Sequence, residues 1–167
     1  ELTGAGVCSF KIEGRMKSEY YLATVINAYR RAIDAFYKEG KAYKLNPLYK
    51  TELEKTAHRE FTTAYLLGEN DRTENFDDSQ SKGTYKFVAN VLDCKNGVAT
   101  VEMRNRFKTG DELEVLSPSA AFNSVLRVES MTDEKGEEVA DAKLVQQKLL
   151  IKTDLPLHNG DILRAKQ

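Results

Sequence analysis

The C-terminal half of this chain is organised by two copies of one pattern, FKTGDEL at residues 107–113 and LHNGDIL at residues 157–163. In each copy a glycine that can adopt positive φ precedes an aspartate whose carboxylate can accept a hydrogen bond from its own turn. Residues that open a strand follow at once. The repeat therefore predicts two equivalent turns, each of which starts a β-strand.

A period-two alternation of apolar and polar residues surrounds these turns from about Gly83 onward. Asn96-Gly97 predicts a tight hairpin. Further strands are predicted at residues 98–103, 112–116, 125–130, 148–152 and 162–164. About six short strands in roughly eighty residues predict a small closed antiparallel β-barrel, because closure removes exposed sheet edges. Its expected core includes Phe87, Val91, Val101, Leu113, Val115, Leu126 and Ile151.

The first forty residues follow a helical period instead. Apolar side chains recur at spacings of three and four between residues 19 and 39, which predicts an amphipathic helix capped by Ser18 and ended by Gly40. A short strand is expected at residues 9–12, and a second helix near residues 51–57. One strand and one helix cannot close an α/β barrel, so we expect the chain to begin inside a larger enzyme. The expected fold class is α+β: the last βα unit of a truncated α/β barrel, then the closed β-barrel.

These patterns predict three parts. Residues 1–68 would form the end of the α/β-barrel domain with a helical extension, residues 69–83 an acidic linker, and residues 84–167 the β-barrel. With 41% hydrophobic and 31% charged residues, the composition excludes wholesale disorder. A net charge of -1 argues against a protein that coats polyanions, but it allows a local basic patch.

The sequence also favours a cytoplasmic protein without membrane contact. Cys8 and Cys94 are far apart in the sequence and are expected to be separate reduced thiols. The first residues do not resemble a signal peptide, and no apolar run approaches the length that crosses a bilayer.

Three segments resemble one known family. They are FKIEGRMKS at residues 10–18, which continues into the helix, HREFTT at residues 58–63, and NRFKTGDELE at residues 105–114. Together they are similar to the C-terminal part of the collagenase-like U-32 peptidase family, and the β-barrel resembles those of translation factors. Ala64 stands where that family usually has glycine.

The resemblance implies that the parent protein is an enzyme. The family was named for proteolysis of collagen-like substrates, whereas several relatives are linked to hydroxylation of tRNA, ribosomal RNA or a quinone precursor and carry an iron–sulfur cluster. The cluster cysteines of those relatives lie upstream of the part that this chain resembles. We therefore expect no cofactor in this chain, and we expect Cys8 to be a buried thiol rather than a ligand.

No nucleophile elbow and no CxxC or HExxH pattern occurs in the sequence, so the catalytic residues stay unassigned and the chain alone is expected to be inactive. The main expectation is a non-catalytic C-terminal part of a U-32 peptidase whose β-barrel recognises the substrate. The alternative is the substrate-positioning part of an iron–sulfur RNA hydroxylase.

The candidate substrate-binding residues form three groups. Lys11, Glu13, Arg15 and Lys17 could bind an anionic substrate or an RNA phosphate, or Glu13 and Arg15 could form a structural pair. His58 and Arg59 could face a substrate, or His58 could be tied to a neighbouring backbone group. Arg104, Arg106 and Lys108 flank Phe107, which could stack on a base or lie in the core.

Two kinds of partner are expected. One is the substrate, either a collagen-like protein or a structured RNA. The other is a second copy of the chain, because the apolar stripe of residues 7–37 would lack the barrel elements that cover it in the parent enzyme.

Overall fold

The computed structural model describes residues 1–62, 68 and 83–167. The linker predicted at residues 69–83 lies, except for Gly83, outside the described residues, as do Thr63 and Ala64.

Two helices open the chain. Helix α1 spans Glu19–Glu39, as the apolar periodicity predicts, and a 3-10 turn follows at Gly40–Ala42. The Ser18 hydroxyl accepts a hydrogen bond from the backbone N–H of Tyr21, and Gly40 ends the helix with φ of 58°.

Helix α2 spans Pro47–Glu54 and so begins before the predicted range of 51–57. The Asn46 side chain accepts a hydrogen bond from the N–H of Leu48. Proline suits the first helical turn because its missing N–H would have no partner there. The Asn46-Pro47 pair therefore starts the helix.

The strands of residues 83–167 pair antiparallel throughout. They are β1 (Tyr85–Lys95), β2 (Val98–Met103), β3 (Phe107–Lys108), β4 (Glu112–Leu116), β5 (Val125–Arg127), β6 (Met131–Asp133), β7 (Asp141–Ala142), β8 (Lys148–Lys152) and β9 (Ile162–Lys166). Seven of them form one sheet in the order β5-β4-β9-β1-β2-β8-β6, and β3 pairs with β7 in a separate two-stranded ribbon.

The two copies of the turn pattern have the same structure. Gly110 and Gly160 have φ of 93° and 90°. The Oδ2 of Asp111 accepts a hydrogen bond from the N–H of Lys108 at 2.9 Å, and the Oδ2 of Asp161 accepts one from the N–H of His158 at 2.8 Å. Strands β4 and β9 follow directly, so the turn prediction is confirmed.

The sheet forms a half-barrel, and the predicted closed barrel is wrong. Strands β5 and β6 lie at the two ends of the strand order. These two strands are not paired with each other in the described residues. Backbone hydrogen bonds link turn residues beside the β3–β7 ribbon to them: the N–H of Gly110 donates to the carbonyl of Val128 at 2.7 Å, that of Val128 to Asp111 at 2.9 Å, and that of Val139 to Met131 at 3.0 Å.

The core lies inside the half-barrel, and all the predicted core residues except Phe87 are buried there. The register of β1 against β9 shifts between Phe87 and Ala89, so Val88 and Ala89 both turn inward and are 0% exposed. Such a bulge reverses the side-chain alternation. Phe87 therefore lies on the outer face, where its ring stacks on Tyr20 with the centroids 5.8 Å apart.

Helix α1 packs across this outer face. Tyr20 forms a second apolar cluster with Leu116 and Ile162. Further along the helix, the Arg31 guanidinium donates to the carbonyls of Ser117 and Ser119, each at 3.0 Å. The sheet thus covers part of the stripe that the sequence leaves without neighbours.

The first eighteen residues differ from the prediction. Residues 9–12 form no strand, because no other strand of the described chain lies beside them to accept their backbone hydrogen bonds. Phe10 and Ile12 are 39% and 36% exposed, and Cys8 is exposed rather than buried.

Candidate functional site

The β3–β7 ribbon carries a concentration of positive charge on its outer side. Phe107 faces Ala142 in the ladder and both are buried, so Arg106 and Lys108 point the other way. Lys108 faces Asp141, and continuing this register places Lys143 opposite Arg106. We call Lys86, Arg106, Lys108, Asp141 and Lys143 the basic ribbon.

Asp141 organises the charges of the basic ribbon. Its carboxylate accepts two hydrogen bonds from Arg106, at 2.9 Å from Nε and 2.7 Å from Nη2. The hydrogen bonding from Arg106 keeps the pKa of Asp141 below its ordinary value, and the charges of Lys143 and Lys108 act in the same direction. The Nζ of Lys86 donates to the backbone carbonyl of Arg106 at 3.3 Å. The basic ribbon thus holds four cations against one carboxylate.

The position of Phe107 corrects one predicted role. Its side chain is 2% exposed and belongs to the interior cluster of the half-barrel, so its ring cannot stack on a base. Arg104, the other predicted member of this group, lies 3.1 Å from Glu102 and 3.5 Å from Glu19 and is partly neutralised. Of the predicted group, Arg106 and Lys108 lie together in the basic ribbon, whereas Arg104 and Phe107 do not belong to it.

The second predicted group lies just before α1. Lys11, Glu13, Arg15 and Lys17 are all exposed. The Oε1 of Glu13 accepts a hydrogen bond from the backbone N–H of Arg15 at 3.0 Å, so the contact between the two residues runs through the backbone rather than the guanidinium. Lys17 places its Nζ 5.0 Å from the centre of the Tyr21 ring. Binding of an anion by this group stays a prediction.

The third predicted group follows α2. The Nδ1 of His58 lies 2.6 Å from the backbone carbonyl of Arg59, and its ring stacks on Phe61 at 4.3 Å. These contacts match the structural alternative for His58. Arg59 is exposed, and its contact with a substrate stays a prediction.

The sequence did not indicate a buried ionic network that joins α2 to the outer face of the sheet. Arg164 of β9 is 0% exposed and lies 2.6 Å from the Oε2 of Glu52 and 2.8 Å from the Oε1 of Glu114. Lys55 places its Nζ 2.6 Å from both carboxylates. Asn123 bridges Glu52 and Arg164 through its amide. No local signal could have found this network, because Glu52 and Arg164 are separated by 112 positions.

The network favours the charged forms of Glu52 and Arg164. Burial alone would raise the pKa of Glu52, but the hydrogen bond from Lys55 and the charge of Arg164 outweigh it and hold that pKa below its ordinary value. Burial alone would lower the pKa of Arg164, and the carboxylates of Glu52 and Glu114 raise it above its ordinary value instead. Two buried cations thus balance two carboxylates, which suits a structural junction rather than a reaction site.

The described part of the chain offers no metal centre. Within residues 1–62, 68 and 83–167, no group of three or more His, Cys, Asp or Glu side chains could hold a metal ion. Cys8 and Cys94 are both free thiols. These residues do not fit an iron–sulfur cluster. None of the helices in these residues is both long and apolar enough to cross a bilayer.

Two family models account for most of the sequence. The model described as "Peptidase family U32" matches residues 1–75, and the one described as "Peptidase family U32 C-terminal domain" matches residues 83–164. The chain belongs to peptidase family U32. The first U32 match ends and the second begins within residues 69–83, where the sequence predicts a linker. The domain boundaries themselves stay a prediction.

Relatives of this U32 chain carry a more specific name. The chain is 36% identical over 162 residues to "tRNA hydroxylation protein P1" of Bacillus subtilis, covering 95% of this chain and 38% of that protein. It is 37% identical over 139 residues to "tRNA hydroxylation protein P" of Escherichia coli, covering 81% of this chain and 30% of that protein. The chain therefore spans about a third of the length of these relatives.

One solved structure of the family is also similar. It is a crystal structure of the C-terminal domain of a U32 protein from Geobacillus thermoleovorans, with 33% sequence identity and a TM-score of 0.45. The similarity covers 47% of this chain and 98% of that one.

Proposed function

We propose that this chain is the substrate-binding part of a U32 protein that takes part in tRNA hydroxylation. The basic ribbon would contact RNA phosphates, and the chemistry would be carried by another part of the protein. The observation that carries the proposal is the basic ribbon, in which Arg106, Lys108 and Lys143 act on Asp141 and Lys86 contacts the backbone of Arg106, in a chain whose relatives are named tRNA hydroxylation proteins.

The charges of the basic ribbon are available to a polyanion. Arg106 is paired with Asp141. Lys108 and Lys143 are exposed, and neither belongs to an ion pair among the described residues. Each lysine that neutralises a phosphate releases a condensed counterion, so binding should weaken as salt increases. A patch of this size suits weak, local contact within a protein whose net charge is close to zero.

The buried ionic network gives this surface a fixed orientation. It joins α2 to strands β4 and β9, while α1 packs on the same outer face. An RNA bound at the basic ribbon would therefore be held in one orientation relative to residues 1–62. Such positioning is what a substrate-binding part contributes to a reaction carried out elsewhere.

Recognition of a peptide is the second candidate. The strand order leaves β5 at one end of the half-barrel, and an extended peptide can add to a strand edge that lacks a neighbouring strand among the described residues. Val125 of β5 is 55% exposed beside this edge. This candidate would fit a U32 protein that acts as a peptidase.

Binding of an unmodified tRNA transcript by the 167-residue chain tests the proposal. We compare the wild type with Lys108→Glu/Lys143→Glu, which leaves the Arg106–Asp141 pair intact. The matched control is Lys44→Glu/Lys152→Glu, which makes the same charge change at two exposed sites outside the basic ribbon.

Fluorescence anisotropy across a salt series should show weaker binding by the basic-ribbon variant. The slope of log K against log salt should fall by about 2, roughly one for each lost phosphate contact. The control should change both quantities much less. Absence of tRNA binding by the wild type, or equal losses in the two variants, would contradict the proposal.

A further inference from the structure

We infer that the basic ribbon binds the phosphate backbone of a base-paired RNA helix rather than an unpaired strand. This inference rests on the proposed function, because it specifies the form of RNA that the same surface would take. It follows from which side chains of residues 83–167 are free to contact RNA.

Recognition of unpaired RNA depends on aromatic rings that stack on the bases. Residues 83–167 contain four phenylalanine and tyrosine side chains, and each is already engaged; the histidine of this range, His158, lies in the turn before β9 and is not part of the basic ribbon. Phe107 lies in the core, and Phe87 stacks on Tyr20. The Arg31 guanidinium lies 4.0 Å from the centre of the Phe122 ring. The Nζ of Lys55 lies 4.8 Å from the centre of the Tyr85 ring, and the Tyr85 hydroxyl donates a hydrogen bond to Glu114.

The arginine of the basic ribbon is also restricted. A guanidinium plane can stack on a base, but two hydrogen bonds to Asp141 fix the plane of Arg106. The remaining cations, Lys86, Lys108 and Lys143, are ammonium groups, which act as point charges and offer no flat surface. The basic ribbon thus provides mainly charge, because its one guanidinium is held by Asp141 and its other three cations offer no flat surface.

The backbone of the basic ribbon fixes the positions from which these charged side chains extend. Neighbouring strands lie about 4.8 Å apart, and residues two apart on one strand are separated by about 7 Å. A preformed array of this kind suits phosphates that are already ordered, as in a helix. A single strand would have to be ordered on binding, without stacking to offset the lost conformational entropy.

Exposed rings do occur elsewhere in the described chain, at Phe10, Tyr29, Tyr37 and Phe61. They belong to residues 1–62, so a test must show which surface an RNA uses. The variant Lys108→Glu/Lys143→Glu serves this purpose, with Lys44→Glu/Lys152→Glu as its control.

The experiment compares two RNA probes with the same number of phosphates, a 16-base-pair hairpin stem and an unpaired uridine-rich strand. Anisotropy is measured with the 167-residue chain at one salt concentration, and unmodified tRNA serves as the reference. We expect the stem to bind at least tenfold more tightly than the unpaired strand. The basic-ribbon variant should lose this preference, and the control should keep it.

Each other outcome has a distinct meaning. Equal or tighter binding of the unpaired strand overturns the inference and leaves the proposed function standing. The same holds if tRNA binds and neither probe does, or if the preference for the stem survives in the basic-ribbon variant while tRNA binding falls. Failure of the wild type to bind tRNA overturns the proposed function itself.

Discussion

Replacing Arg164 by methionine should strongly destabilise the chain. The substitution keeps an unbranched side chain of similar length but removes the positive charge. Glu52, which is 1% exposed, and the side chain of Glu114, which is 16% exposed, would then share only the ammonium of Lys55. Leaving a buried charge without its partner costs about 3–5 kcal/mol in the free energy of unfolding.

Urea denaturation at neutral pH, followed by circular dichroism, measures this loss. With an m-value of about 2 kcal/mol/M, the midpoint should fall by about 1.5–2.5 M. Arg127→Met is the matched control, because Arg127 lies exposed on β5 and should change the free energy of unfolding by no more than about 0.5 kcal/mol.

A double-mutant cycle separates the ionic network from simple loss of packing. Glu52→Leu combined with Arg164→Met removes one charge of each sign and leaves the pair between Lys55 and Glu114. The double variant should be more stable than the sum of the single effects predicts, by roughly 0.5–3 kcal/mol. Strict additivity, or a midpoint for Arg164→Met equal to that of Arg127→Met, would refute the reasoning.

Three further predictions address other parts of the structure. The pKa of Glu52 is held below its ordinary value of 4.5, so its contribution to stability is complete above that pH and is lost as the pH falls through the folded-state pKa. The urea midpoint should therefore fall less steeply at acid pH for Glu52→Gln than for the wild type, and an unchanged fall would contradict this. Gly83→Ala should destabilise the chain by about 1–3 kcal/mol, because its Cβ would lie 2.8 Å from the backbone carbon of Thr56 and 2.9 Å from the nitrogen of Ala57; a wild-type melting temperature would show that this contact relaxes freely. Self-association through residues 7–37 predicts a dimer by light scattering at high micromolar concentration, abolished by Ile26→Glu, since Ile26 is 52% exposed; a monomeric wild type would rule it out.

Local signals account for what the sequence predicts well. Helix α1 with its Ser18 cap and the two glycine–aspartate turns all depend on contacts within a few residues, and these are confirmed. The expected inward position of Phe87 failed because a bulge in β1 reverses the side-chain alternation. The predicted strand at residues 9–12 failed because a strand also needs a neighbour to pair with.

The candidate site divides in the same way. Alternation along β3 placed Arg106 and Lys108 on one face, as a strand pattern allows, but it could not show that Phe107 between them fills the core. The sequence could not place Lys143 beside Arg106, because that position depends on the pairing of β3 with β7, which are more than thirty positions apart. The buried partners of Arg164 come from α2 and β4, and only the folded chain brings them together.

The junction between α2 and β1 has a consequence for how this protein can vary in length. The backbone N–H of Thr84 donates to the carbonyl of Glu54 at 3.3 Å, and that of Tyr85 donates to Lys55 at 3.1 Å. The hydrogen bonds that start β1 thus hold the end of α2 next to the residues that precede β1. These bonds join Glu54 and Lys55 directly to Thr84 and Tyr85, so they set the position of α2 against the start of β1 whatever the number of residues between them. Natural variants that differ in length between residues 69 and 82 should therefore keep the same junction between α2 and β1.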